Sequence, residues 1–374
     1  MDLLIIGGSG ILSSAVVDEA IKQGINVTMV NRGHRKKFIN PQAELITGDV
    51  RNESQAILQK LGNRYFDAVI DFIVWNKEQL SASLSLFSNI AEQYIFISSA
   101  QAYNTSQKGI LTENSEMVQP LWQYSIDKCN AEQYLIDYCN KNKKHYTIIR
   151  PGVNYGPTRI PYGIFPSIGK HWTFVERIKA GKIIPTWNNG ENKLNLTRVE
   201  DLALGTVGLV GNKKAYNEDF NVVGDYIYTW REVLHVLAKL IGKEVKTIDV
   251  PVDFYASYLP KDEKEGLIGG RALDLVCSNE KLKKVVPNFY TRYDLESGLR
   301  MTLEAYKKNN YFLGIDYFYE GVTDRMLNDY SRYSHIDRQS FINYFCNDLI
   351  KNHIRYLLAY YKDNSFIKLI SRAR

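Results

Sequence analysis

The first ten residues constrain this chain more than any others. Leu3-Leu4-Ile5-Ile6 runs straight into Gly7-Gly8-Ser9-Gly10, and Leu12–Gln23 then shows helical spacing and stops at Gly24. A short, wholly apolar run bounded by glycine reads as a strand buried on both faces, the situation in a parallel sheet covered by helices on each side. The same pattern continues downstream. Strands are expected at Asn26–Asn31, Glu44–Ile46, Ala68–Phe72, Tyr94–Ser98 and Tyr146–Arg150. Helices are expected around Glu53–Leu61 and Lys77–Glu92, and again over the segment carrying Tyr124 and Lys128. This alternation of strands and helices predicts an α/β fold built on a doubly wound parallel sheet.

The second half is less regular. Residues 158–194 are rich in Gly, Pro and Trp, with a helix expected near Phe174–Ala180. Asn195–Val210 reads as a helix returning to the core, and Trp230–Ile241 as an amphipathic helix. The expected organisation is a sheet domain over 1–157, completed by about 195–224. A smaller α/β domain follows from 158–194 and 225–312, and then a helical, basic C-terminal extension over 313–374. At 374 residues the chain has room for two cores. A net charge of +6 does not by itself imply nucleic acid. The four cysteines are scattered with no C-x-x-C pair, so no zinc site or disulfide framework is expected, and free thiols suit a reducing cytosol. No run reaches the roughly 18 apolar residues of a membrane span. The N-terminus lacks a basic stretch before its apolar run and reads as fold, not as a signal peptide.

The glycine turn has a chemical reading. Gly7 permits a tight turn. Gly10 lets a pyrophosphate approach the start of a helix, where unpaired N–H groups and the dipole favour an anion. Ser13 stands where a third glycine is usual and is small enough for close helix–strand packing. The second strand ends in Asn31-Arg32-Gly33-His34-Arg35, with no carboxylate for a ribose diol, which favours a 2′-phosphate and so NADP(H) over NAD(H). Asp49, after the third strand, is placed to accept from an adenine amino group or to hold a turn.

Tyr124 and Lys128 stand at i and i+4, on one helix face. Together with Gly7–Ser13, Gly48-Asp49, Phe96-Ile97-Ser98-Ser99-Ala100-Gln101-Ala102-Tyr103, Arg150-Pro151-Gly152-Val153-Asn154-Tyr155-Gly156-Pro157 and Arg198-Val199-Glu200-Asp201, they occur in an order that resembles the extended short-chain dehydrogenase/reductase family. That family contains the nucleotide-sugar epimerases, dehydratases and reductases. The resemblance covers roughly residues 1–310. Asn31-Arg32-Gly33 and Asp67–Asp71 look most like the subgroup that includes chloroplast stem-loop RNA-binding proteins.

The resemblance implies a Rossmann-type fold and a catalytic set of Ser99, Tyr124 and Lys128. Tyrosine is the acid/base, lysine binds the nicotinamide ribose and favours tyrosinate, and serine bonds the same substrate oxygen. It implies cofactor contacts at Gly7, Gly10, Ile11, Leu12, Asn31, Arg32, Asp49, Val50, Pro151 and Val153, a nucleotide-linked sugar as substrate, and a homodimer formed through the Lys77–Glu92 and Tyr124-bearing helices. In the family's 4,6-dehydratases an Asp–Glu pair follows the serine. Here Ala100 and Gln101 cannot ionise, which disfavours dehydration and leaves a 4-epimerase or a keto-sugar reductase. Gln101, Asn154, Arg177 and Arg198 are candidate substrate contacts. So are Thr197, Lys179 and Lys182, with Trp172 or Trp187 as stacking surfaces and His171 as a loop proton donor.

The family does not account for residues past about 310. Phe341, Ile342, Phe345, Leu349 and Ile350 have near-helical spacing, and six Lys/Arg face one Asp from Lys351 to Arg374. This reads as a helical pair packed on the substrate domain or a dimer mate, or as a basic segment touching an anionic membrane, as suits an enzyme of surface-glycan synthesis. The competing class is a non-catalytic nucleotide- or RNA-binding protein on the same fold.

Overall fold

A computed structural model describes residues 1–117, 121–162, 169–309, 313–331 and 350–361. The chain divides into two compact units. The first comprises Met1–Pro157, Asn192–Thr229 and Gly269–Gly298, and the second Thr158–Glu191, Trp230–Ile268 and Leu299–Arg374.

The first unit begins β1 (Asp2–Ile6), α1 (Ile11–Lys22), β2 (Asn26–Asn31), β3 (Glu44–Thr47), α2 (Ser54–Leu61), β4 (Phe66–Asp71), α3 (Lys77–Phe87), β5 (Ala91–Ile97), α4 (Gln123–Asn142), β6 (His145–Pro151) and β7 (Val153–Tyr155). In the second unit α5 (Trp172–Lys179) and β8 (Ile183–Thr186) follow. The chain then returns with β9 (Lys193–Arg198), α6 (Val199–Gly208), β10 (Glu218–Val222) and β11 (Ile227–Thr229). The central sheet has seven parallel strands in the order β10-β6-β5-β4-β1-β2-β3. A second sheet is formed by β11, β9 and β7.

The alternation of β1 explains its apolar run. Leu3 and Ile5 pack with Val16, Val17 and Ala20 of α1 and with Leu202 and Val207 of α6. Leu4 and Ile6 pack with Leu80 and Leu84 of α3 and with Ala131 and Leu135 of α4. All four strand residues are fully buried, each contributing roughly 1.5–3 kcal/mol. Helices on both faces are what a strand without a polar side requires.

Two expectations about these elements are corrected. The helix expected over Lys77–Glu92 ends at Phe87, because Ala91–Ile97 is needed as β5 between β4 and β6. The helix expected over Asn195–Val210 is a strand, β9, followed by the helix α6. Asn195 and Thr197 point inward on β9 and are paid in hydrogen bonds: Asn195 donates to the Gly224 carbonyl and accepts from Cys277 N–H, and Thr197 accepts from Gly224 N–H. In addition, Gly269–Gly298, assigned from sequence to the second domain, belongs to the first unit.

The second unit continues with α7 (Trp230–Ile241), β12 (Lys246–Asp249), α8 (Val252–Ser257) and α9 (Lys261–Gly266). After α10 (Glu280–Val285) in the first unit, α11 (Leu295–Asn309) leads to α12 (Tyr317–Ser331) and α13 (Ile350–Tyr360). Strands β8 and β12 pair in parallel. The core is aromatic: Tyr162, Phe174, Trp187, Trp230 and Tyr255 meet at ring separations of 4.7–6.4 Å, and Tyr319 of α12 joins them against Phe174. Part of the extension therefore belongs to this core. The near-helical spacing at Phe341–Leu349 and the basic end of the chain beyond residue 361 lie outside the described residues. Among the described residues no helix is long and apolar enough to cross a membrane.

Candidate active site

The order of the sheet reverses between β1 and β4, and a crevice opens there beyond the carboxyl ends of the strands. It is a cleft of about 360 Å³ lined by Gly7, Ser9, Gly10 and Ser13 after β1, Asn31–Arg35 after β2, Gly48–Arg51 after β3, and Phe72, Ile73 and Trp75 after β4. Gly7 has φ +112°, and a Cβ on it would press on Ile73 and Phe72 at 3.3–3.4 Å, so the turn needs glycine both for its backbone and for its space. Ser13 does more than fill a small site. Its buried hydroxyl accepts the Gly10 N–H (2.8 Å), closing the first turn of α1. The N–H groups of Ile11 and Leu12, in that first turn, have no acceptor within the helix.

Asn31 uses its side-chain oxygen to accept from Gly33 N–H (2.8 Å), while its Nδ2 is buried with no partner among the described residues. Arg32, His34, Arg35 and Arg51 share the wall with a single carboxylate, Asp49. That carboxylate accepts from Arg51 N–H (3.0 Å) and Asn52 Nδ2 (3.3 Å), so Asp49 holds its own turn as well as facing the cleft. Of the ten expected cofactor contacts, Gly7, Gly10, Asn31, Arg32, Asp49 and Val50 come together here. Ile11, Leu12, Pro151 and Val153 are not part of this wall. A glycine cradle, a buried donor and an excess of bases over acids fit a dinucleotide.

Ser99 follows β5 and is nearly buried. Its hydroxyl accepts from Gln101 N–H (3.2 Å), and Ser125 of α4 donates to the Gln101 carbonyl (2.5 Å), which ties this loop to the helix carrying Tyr124 and Lys128. Lys128 is buried. Its ammonium donates to the carbonyls of Val74 and Ile97, both at 2.9 Å, and lies over the Phe96 ring at 4.8 Å and the Tyr124 ring at 6.0 Å. Desolvation lowers its pKa to about 8, against the opposing pull of the Asp71 and Glu132 carboxylates. The half-buried Tyr124 ring is flanked by Trp122 (5.0 Å) and Trp75 (6.0 Å). Two amide acceptors, Gln101 Oε1 and Asn154 Oδ1, are buried without partners among the described residues.

Other expected contacts are spent elsewhere. Arg177, expected to face a diphosphate, is buried and paired with Glu320 (2.9 Å) and Asp324 (2.7 Å) of α12. Lys182 joins the same two carboxylates, and Lys179 pairs with Glu176. Arg198 is buried, bonded to the Gly298 carbonyl and to Glu200, between the rings of Tyr155 and Tyr293. Trp172 and Trp187 are core residues. His171 is buried at the start of α5, and desolvation followed by the nearby Arg159 lowers its pKa to about 4, so it is a neutral core imidazole and not a loop donor.

Sequence reasoning missed Trp75 and the carbonyls that hold Lys128. A large apolar residue just past a parallel strand, next to the helix-capping Asn76, was the available signal for Trp75.

A doubly wound parallel sheet with a glycine turn at its switch point defines a Rossmann-type protein. The model of the NAD dependent epimerase/dehydratase family matches residues 3–223, and the chain belongs to that family, within the extended short-chain dehydrogenase/reductases. It is 29% identical over 318 residues to chloroplast stem-loop binding protein of 41 kDa b from Arabidopsis thaliana, covering 79% of this chain and 77% of that one. In fold it resembles the crystal structure of UDP-glucose 4-epimerase with UDP-glucose from Thermotoga maritima (TM-score 0.65, 22% identity, 83% of this chain and 100% of that one). It also resembles dTDP-glucose 4,6-dehydratase in complex with NAD from Bacillus anthracis (TM-score 0.66, 19% identity, 83% and 97%).

Proposed function

We propose that the protein carries out reversible oxidation and reduction at one carbinol carbon of a nucleotide-linked sugar, as a 4-epimerase or a keto-sugar reductase. The observation that carries this reading is Lys128. An ammonium is held out of water by the carbonyl that ends β5 and one in the loop after β4, one turn along the helix from Tyr124 and beside the cleft after β4. A protein that binds only RNA has no need to bury a charge there. Two of its three N–H groups are engaged with Val74 and Ile97. The third is available to a ligand, and the positive charge lowers the cost of ionising the neighbouring phenol.

In this reading Tyr124 takes the proton from the substrate hydroxyl as it is oxidised and returns it as the carbonyl is reduced, and Ser99 bonds the same oxygen. Gly7, Gly10 and the first-turn N–H groups of α1 hold a pyrophosphate. Asn31 Nδ2 and Arg32 hold the ribose or its 2′-phosphate. The nicotinamide cofactor, when bound, supplies the hydride acceptor and donor. Gln101 Oε1 and Asn154 Oδ1 are acceptors for substrate donors. Ala100 and Gln101 provide no acid or base for eliminating water, which disfavours a 4,6-dehydratase.

Mass spectrometry of what leaves the protein on acid denaturation tests the reading. Stoichiometric NAD supports the epimerase. An empty protein that binds NADPH more tightly than NADH, with the preference lost in R32A, supports the reductase. A protein that binds no dinucleotide sinks both. The likeness to a stem-loop binding protein favours a second reading, RNA binding on the same fold. It predicts retention of RNA at low salt with a steep salt dependence, and no retention removes it.

A further inference from the structure

Trp75 stands at one end of the cleft wall, and its backbone is fixed from three directions. Its N–H donates to Gln79 Oε1 (2.9 Å), the next residue, Asn76, caps α3 by accepting Gln79 N–H (3.0 Å), and the carbonyl just before it, on Val74, holds the Lys128 ammonium. Trp75 as a residue is nonetheless 58% exposed, whereas Trp172, Trp187 and Trp230 are buried. Its ring meets Tyr124 edge-on at 6.0 Å and 70°, and Tyr124 in turn meets Trp122 at 5.0 Å. An apolar plate on a fixed backbone thus stands in water where the cleft adjoins the phenol and the buried ammonium. Covering such a plate with another flat ring recovers both apolar burial and stacking.

We propose that Trp75 is a positioning residue that covers the nicotinamide half of a bound dinucleotide and holds it beside Tyr124. This rests on the reading of the cleft as a dinucleotide site. The glycine turn takes the pyrophosphate and the Asn31–Arg35 and Asp49 wall takes the adenosine half, which leaves the nicotinamide for the end at Trp75, whose ring meets Tyr124.

The test is a binding titration of the full-length protein and its W75F and W75A variants, read by calorimetry and by indole emission. Two ligands are compared: NADPH, and 2′-phospho-ADP-ribose, which lacks nicotinamide. In the wild type NADPH quenches indole emission. In W75A the affinity for NADPH falls on the order of tenfold, and most of the quenching disappears. W75F keeps most of the affinity, and 2′-phospho-ADP-ribose binds all three proteins equally. If W75A binds NADPH as tightly as wild type, the proposal is overturned. It is also overturned if W75A loses affinity for both ligands to the same extent, since that describes a damaged fold or the wrong half of the ligand. A wild-type protein that binds neither ligand, and neither NADH nor ADP-ribose in their place, overturns the dinucleotide reading itself, an outcome distinct from the other two.

Discussion

At the scale of single residues, Lys128 yields a prediction whose two halves run in opposite directions. Its pKa is lowered from 10.5 to about 8, chiefly by desolvation. The ammonium is therefore present below about pH 8 in the folded protein and lost above it. If it supports tyrosinate and holds a cofactor ribose, dinucleotide affinity and turnover fall as pH rises through about 8. Stability moves the other way. Between about 8 and 10.5 the unfolded chain binds more protons than the folded one at this site, so its contribution to stability rises with pH in that window. Isothermal titration with NADPH and urea melts, run side by side from pH 7 to 9.5, separate the two. Affinity and stability falling together would mean alkaline unfolding and not titration of Lys128. K128R, whose guanidinium keeps its charge, is expected to weaken binding at pH 7 but to flatten the alkaline loss.

At the scale of elements, α12 is anchored by charge. Arg177 of α5 and Lys182 face Glu320 and Asp324 across a buried cluster, and Tyr356 of α13 donates to Asp324 (3.0 Å). Removing one member leaves buried charge uncompensated. R177A is expected to cost about 3–5 kcal/mol in urea unfolding, and R177M/K182M/E320L/D324L to recover much of that. A loss below about 1 kcal/mol in R177A would show that the cluster is not a clamp. This cluster also marks where sequence reading stops. The β1 strand and its glycine turn are local signals, four apolar residues and a conformation that glycine alone adopts freely, and they were legible. Tyr124 and Lys128 were legible because a helix turns fixed spacing into a shared face. Arg177 was not: its partners lie 143 and 147 residues away, and a cation on an amphipathic helix looks the same whether it meets a substrate phosphate or a distant carboxylate. β9 reads as part of a helix because the alternation of Leu194 and Leu196 with Asn195 and Thr197 lasts only six residues and the helical run Val199–Gly208 follows without a break.

At the scale of the whole molecule, the extension past residue 310 is in part structural. Tyr319 covers Phe174, and a Cβ on Gly321 would lie 2.5 Å from the Tyr356 carbonyl oxygen, so α12 and α13 cross closely. A chain ending at residue 312 would lose the partners of Arg177 and Lys182 along with that cover. It is expected to lose the cooperative melting of the second unit, seen as a lower first transition in calorimetry or as early proteolysis between residues 158 and 191. A truncated chain that melts like the full one would show the extension to be dispensable. The two units also share the chain unusually: it passes between them at five junctions, the last between Gly298 and Leu299. The sheet unit is not whole until β10 and the Gly269–Gly298 segment have been made. On a ribosome working from the N-terminus, the apolar strands β1–β6 therefore wait, partly uncovered, until residue 298 has been made. Neither unit could be exchanged for that of a relative by a single crossover.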